Sequence, residues 1–72
     1  MDGAKYFVRR TTKKKFVFAP EYRYRTFDSI EGPGGLVDTL LDGGWYVIER
    51  GSGYIFAFRE KDYALFTWRK EY

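Results

Sequence analysis

Residues 45–70 read WYVIERGSGYIFAFREKDYALFTWRK, three runs of β-branched and aromatic residues divided by two short polar or glycine-containing breaks. Such runs are typical of strands, and breaks this short are typical of hairpin connections. The pattern therefore predicts an antiparallel meander with strands at about 45–49, 54–59 and 63–70. Apolar residues occupy both alternating sets of positions in the second and third runs, whereas a sheet with one wet face alternates more cleanly. Both faces of this meander are expected to carry apolar side chains.

A short helix is predicted just before the meander. Glycine and proline cluster at residues 32–35, so the chain must turn there, and Pro33 suits the first position of a helix because its missing N–H costs nothing there. Gly43 and Gly44 then suit the C-terminal end. A helix is therefore predicted at about 33–42, with one apolar stripe made by Leu36, Val37, Leu40 and Leu41.

The N-terminal residues predict a hairpin. Runs at 6–10 and 15–19 are rich in aromatic and β-branched residues, and Pro20 ends the second run because proline cannot donate to a central ladder. Residues 21–27 alternate and suit either a third edge strand or an extended connection. The predicted fold is a single α+β domain over residues 1–72: a small antiparallel sheet of about five strands, with an N-terminal hairpin, a C-terminal three-stranded meander and one short helix.

Aromatic residues are unusually abundant in this chain. Seven Phe, seven Tyr and two Trp make up 22% of the sequence, and each ring can bury about 150–250 Å². That is more than one face of a short sheet and one short helix can cover. The sequence therefore predicts either a closed, barrel-like core or an aromatic face that a partner or a second copy covers.

The composition also narrows the chemistry. The chain has no Cys and no His, which excludes disulfides, thiolate or imidazole zinc sites, Cys nucleophiles and Ser-His-Asp triads. The carboxylates fit ordinary roles in caps and turns. We therefore expect no catalysis, no cofactor and no metal. No run approaches the roughly 20 apolar residues of a membrane span, and no secretory leader is visible, so a cytoplasmic location is expected and no membrane partner.

The charge is uneven along the chain. Residues 1–25 hold eight basic and two acidic side chains, whereas residues 26–72 hold five basic and eight acidic ones. This asymmetry indicates an acidic partner for the first third, with a solvated sheet edge as the alternative. The residues predicted to contact that partner are Lys13, Lys14, Lys15, Tyr22, Arg23, Tyr24 and Arg25. A further set, Tyr54, Phe56 and Phe58, is interpreted mainly as core, with an oligomer face as the alternative.

These observations predict a non-catalytic protein-binding module. A chain so short and aromatic suits an accessory or inhibitor protein of the kind that viruses of bacteria encode, acting on a host protein in the host cytoplasm. Two alternatives stay open. The basic and aromatic residues of the N-terminal third could bind single-stranded nucleic acid, or the protein could be a structural homo-oligomer, as a homodimer or a larger assembly.

Overall fold

A computed structural model describes the backbone of residues 5–14, 17–20 and 24–71 and the side chains of 5–13 and 24–70. Within these ranges the chain forms strands and one short helix, which confirms the predicted α+β class. No helix in the described part is long and apolar enough to cross a membrane. The elements are β1 (Lys5–Lys14), β2 (Val17–Pro20), β3 (Arg25–Phe27), α1 (Leu36–Asp42), β4 (Tyr46–Gly51), β5 (Tyr54–Arg59) and β6 (Asp62–Glu71).

The strands form one antiparallel sheet in the order β2–β1–β6–β5–β4, and β3 also pairs with β1. β2 pairs with residues 11–14 of β1 and β3 pairs with residues 6–8. The two short strands therefore share one edge position, and the sheet has the five positions that the sequence predicts. The N-terminal hairpin and the C-terminal meander are both confirmed. β1 joins the two parts by pairing with β6 over nine positions, from Lys5 opposite Glu71 to Lys13 opposite Tyr63.

The helix connects the two edges of the sheet, from β3 to β4. It begins at Leu36, three residues later than the sequence predicts, because Pro33 belongs to a turn. The Gly35 N–H donates to the Gly32 carbonyl at 3.0 Å, and Gly34 between them has a φ of 76°. Proline followed by a residue with positive φ is the pattern of a type II turn. The fixed φ of Pro33 therefore stabilises the turn before the helix and not the first turn of the helix.

The core lies between α1 and one face of the sheet. Phe66, fully buried, meets Trp45 edge-on at 5.2 Å and Tyr24 edge-on at 5.4 Å between ring centroids. Arg59 contacts the C-terminal end of the helix. Its guanidinium donates a hydrogen bond to the Gly43 carbonyl at 3.0 Å and lies 4.2 Å from the Trp45 ring centroid. The buried apolar residues are Val8, Phe27, Leu36, Leu40, Trp45, Ile55, Ala57, Ala64 and Phe66.

The approach to the helix requires a glycine at position 35. A Cβ there would lie 2.8 Å from the backbone carbonyl oxygens of both Ile30 and Glu31. We expect Gly35→Ala to lower the free energy of unfolding by roughly 1–3 kcal/mol, because a rigid backbone segment must move to make room. Chemical denaturation followed by circular dichroism measures the loss. The exposed Ser52→Ala is the control, with a change within about 0.5 kcal/mol; equal stability of the two variants would contradict the close approach.

Candidate binding surface: the open face of the sheet

The face of the sheet opposite α1 is covered by no element of the described chain, and we call it the open face. Residues that lie directly opposite each other in register share a face, and successive residues of a strand alternate between faces. In β5, Ile55 and Ala57 enter the core, so Tyr54, Phe56 and Phe58 lie on the open face and are only half-buried. The core interpretation of these three residues is wrong. Their role as an oligomer face stays a prediction.

A cluster of apolar side chains occupies the β4–β6 part of the open face. Tyr46, Phe58 and Tyr63 lie in one row across three strands, and Phe56 lies opposite Leu65 in the next row. The Phe56 and Tyr63 rings stack at 5.6 Å between centroids with an interplanar angle of 11°, and Phe58 meets Tyr63 at 4.8 Å. Tyr46, Tyr63 and Leu65 remain 70%, 42% and 38% exposed. We call these five residues the ring patch.

Cationic side chains occupy the β1 side of the same face. Lys13 ends the row of three rings because it lies opposite Tyr63, and Arg9 lies opposite Thr67 in a parallel row. Arg69 of β6 shares the face at the other end of the sheet, opposite Phe7. Arg9 is exposed and makes no ion pair with any described residue. We call Arg9, Lys13 and Arg69 the basic row; Arg9 and Lys13 lie beside the ring patch, and Arg69 lies farther along the same face.

One carboxylate stands on the β4 side of the open face. A register shift between Val47 and Glu49 brings Glu49 opposite Phe56, and the Tyr54 hydroxyl donates to the Glu49 carboxylate at 2.8 Å. This hydrogen bond raises the pKa of Tyr54, because the bond favours the protonated phenol and desolvation and the charge of Glu49 act in the same direction. Glu49 therefore places negative charge on the edge strand, across the sheet from Arg9 and Lys13.

The residues that the sequence predicts as partner contacts divide between the two faces. Lys13 lies on the open face, opposite Tyr63 of the ring patch. Tyr24 packs against the core on the helix side, with the Arg10 guanidinium 5.0 Å from its ring centroid. Arg25 is exposed on that same side, 4.8 Å over the Phe27 ring. Lys14 is the last residue of β1, but its side chain lies outside the described part of the chain. The predicted contacts Lys15, Tyr22 and Arg23 lie entirely outside the described residues.

Five of the eight residues of the ring patch and the basic row were not identified from the sequence: Arg9, Tyr46, Tyr63, Leu65 and Arg69. Tyr63, Leu65 and Arg69 alternate with core residues along β6, and that alternation is visible in the sequence. Arg9 and Tyr46 become recognisable only through strand register, because Arg9 is brought to the face by the pairing of β1 with β6, nearly sixty residues away.

Two ion pairs connect the loop before α1 to the strands β1 and β4. Glu31 accepts a hydrogen bond from Arg50, which lowers the pKa of Glu31 and raises that of Arg50; the pair ties β4 to this loop on the helix side. A depression of about 660 Å³ lies between β1, β3 and the loop; its charged lining consists of Lys5 and Asp28, which pair with each other at 2.8 Å, and Arg25, which lies over the Phe27 ring. Within the described residues no group of three or more acidic side chains could hold a metal ion.

The open face therefore combines exposed apolar rings with cationic charge. Such a surface can bind a partner that offers apolar or flat groups together with negative charge. Comparison of the chain with protein-family models, with curated proteins and with solved structures finds no match.

Proposed function

We propose that this protein is a non-catalytic binding protein that holds an anionic partner on the open face of its sheet. The observation that carries the proposal is that the ring patch and the basic row share one uncovered face. The sequence offers neither His nor Cys as a base or nucleophile, which supports binding over catalysis. A cytoplasmic location stays a prediction.

The two parts of the face have different physical roles. The ring patch supplies the binding energy, because each Å² of apolar surface removed from water contributes about 25 cal/mol. The basic row attracts a negatively charged partner and speeds its approach, an effect that weakens as salt rises. We therefore expect changes in the rings to alter the dissociation rate and changes in the cations to alter the association rate.

The charge of the open face also bears on self-association. Two copies that stack face to face bring two basic rows into one interface, and like charges juxtaposed across an interface are costly. The homo-oligomer alternative is therefore less favoured on this face than an anionic partner. The protein partner that the sequence predicts first and the nucleic acid that it predicts second both have the required chemistry.

Site-specific crosslinking tests whether the open face is the binding surface. We expect the photoreactive residue benzoylphenylalanine at position 46 to crosslink to a partner in a lysate of cells that express the protein, and Arg9→Glu to reduce that product. The matched control places the same residue at Leu41, which is 54% exposed on α1. Equal crosslinking from positions 41 and 46, or no effect of Arg9→Glu, would reject the open face as the binding surface.

A further inference from the structure

We infer that the anionic partner is a single-stranded nucleic acid, with its bases on the ring patch and its phosphates along the basic row. This inference rests on the proposed role of the open face. Three features of that face indicate the partner class: the position of Arg9 and Lys13 one strand beyond the ring patch, the spacing of the rings, and the position of Glu49.

In the part of the open face that holds the ring patch, the rings lie on β4, β5 and β6 and the cations Arg9 and Lys13 lie on β1, whereas Phe7 and Arg69 lie farther along the face. The row Tyr46–Phe58–Tyr63 runs from the edge strand inwards and ends at Lys13 on β1. Neighbouring strands lie about 4.8 Å apart, so the cation stands one strand beyond the last ring. A nucleotide has the same division, with a flat base on one side of the sugar and a phosphate on the other. A strand running along β1 can therefore place bases on rings and phosphates beside cations at once.

Ring spacing favours a single strand over a duplex. Phe56 and Phe58 project from β5 two residues apart, which corresponds to about 6.8 Å along the strand. Stacked bases in a duplex are separated by about 3.4 Å, half that distance. Bases that lie on successive rings must therefore be unstacked from one another. A duplex cannot offer them, because its base faces are covered by the neighbouring base pairs.

Glu49 fixes the side on which the phosphates lie. Glu49 lies on β4, the edge strand farthest from β1, and its carboxylate accepts a hydrogen bond from the Tyr54 hydroxyl. A phosphate backbone along β4 would meet this carboxylate, whereas one along β1 meets Arg9 and Lys13. The bases therefore point from β1 towards β5.

Base identity is expected to matter little. The sequence contains no Asn and no Gln, the side chains that form bidentate hydrogen bonds with adenine edges. Stacking on aromatic rings uses the face that every base has, so it tolerates all four bases. We expect oligonucleotides of equal length and different sequence to bind within a few fold of each other.

Fluorescence anisotropy with a labelled twelve-nucleotide oligo(dT), in roughly 50 mM salt, tests the inference. We expect saturable binding, with a duplex of the same length bound at least tenfold more weakly. Tyr63→Leu is expected to weaken binding about 5- to 150-fold, the loss that stacking of one base implies. The control Tyr6→Leu changes the same residue type on the helix face and should leave affinity unchanged.

The dependence of affinity on salt concentration measures the contribution of the cationic side chains. Arg9→Gln is expected to lower the slope of log affinity against log salt by about 0.7, the value for one phosphate contact on a single strand. Arg25→Gln makes the same change on the helix face and should leave the slope as it is. Circular dichroism melting confirms that each variant is folded before its binding is interpreted.

The outcomes separate this inference from the proposal on which it rests. No binding of oligo(dT), equal binding of the duplex, or an unchanged affinity of Tyr63→Leu would overturn the nucleic-acid inference. If position 46 then crosslinks to an acidic protein in an Arg9-dependent manner, the open face is still the binding surface and its partner is a protein. If oligo(dT) binds but responds to Arg25→Gln and not to Arg9→Gln, both the inference and the open face are rejected.

Discussion

Replacing Phe66 by Ala is expected to lower the free energy of unfolding by about 3–5 kcal/mol. Phe66 is fully buried at the centre of the core, where Trp45 and Tyr24 both meet its ring edge-on. Its loss removes apolar contact area and leaves a cavity that two neighbouring rings cannot fill by small shifts. Because domains of this size are stable by only about 5–15 kcal/mol, the variant should lie close to unfolding at room temperature. Urea denaturation followed by far-UV circular dichroism measures the change.

The same substitution on the other side of the sheet is the matched control. Phe56 is half-buried on the open face, so Phe56→Ala removes a ring that has water on one side. We expect a loss of no more than about 1.5 kcal/mol. Losses of equal size from Phe56→Ala and Phe66→Ala would mean that the two faces of the sheet are equally covered, which contradicts the open face.

Leu40→Ala is expected to cost about 2–5 kcal/mol and to detach the helix. Leu40 is fully buried, and its carbonyl accepts a hydrogen bond from the Trp45 N–H at 3.0 Å, so it links the helix to the start of β4. α1 has only seven residues, far below the length at which a helix is stable in water, and it therefore depends on docking. Near-UV circular dichroism, to which Trp45 contributes, should show the detachment together with the loss of stability.

Leu41→Ala tests whether burial, and not helix propensity, causes that loss. Leu41 is the next residue of the same helix but is 54% exposed. The change to Ala is the same, and Ala is the better helix former at both positions. We expect Leu41→Ala to alter the free energy of unfolding by less than about 1 kcal/mol. A loss comparable to that of Leu40→Ala would show that α1 docks through a different face.

Much of the fold follows from local patterns in the sequence. The three runs at 45–70 predict the meander, since the strands are adjacent and their connections are short. The apolar stripe predicts the helix and its end at Gly43. The start of the helix could not be read in the same way, because proline suits both the first turn of a helix and the corner of a type II turn. The positive φ of Gly34 selects the turn, and that φ is a property of the folded loop.

The assignment of faces depends on packing that the sequence does not display. Both faces of β5 and β6 are apolar, and the bulkier side chains of β5 lie on the open face. The core side carries Ala57 directly opposite Ala64, together with Leu36 and Leu40 of the helix in the same buried cluster. Small side chains on a strand let a helix approach closely, so size, and not hydrophobicity, distinguishes the two faces of β5, whereas β6 carries the large rings of Phe66 and Trp68 on its core side.

The pairing of β1 with β6 has a consequence for the order in which the protein acquires its structure. β1 finds its principal neighbour only when residues 62–71 have been made, whereas the meander consists of hairpins that can close as they emerge. Strand pairings between residues that are distant in sequence form slowly, because closing a long loop costs conformational entropy before any new contact offsets that cost. Until then β1 can pair only along its other edge, with the short strands β2 and β3, and we expect its abundance of lysine, arginine and threonine to keep the open edge from pairing with other nascent chains.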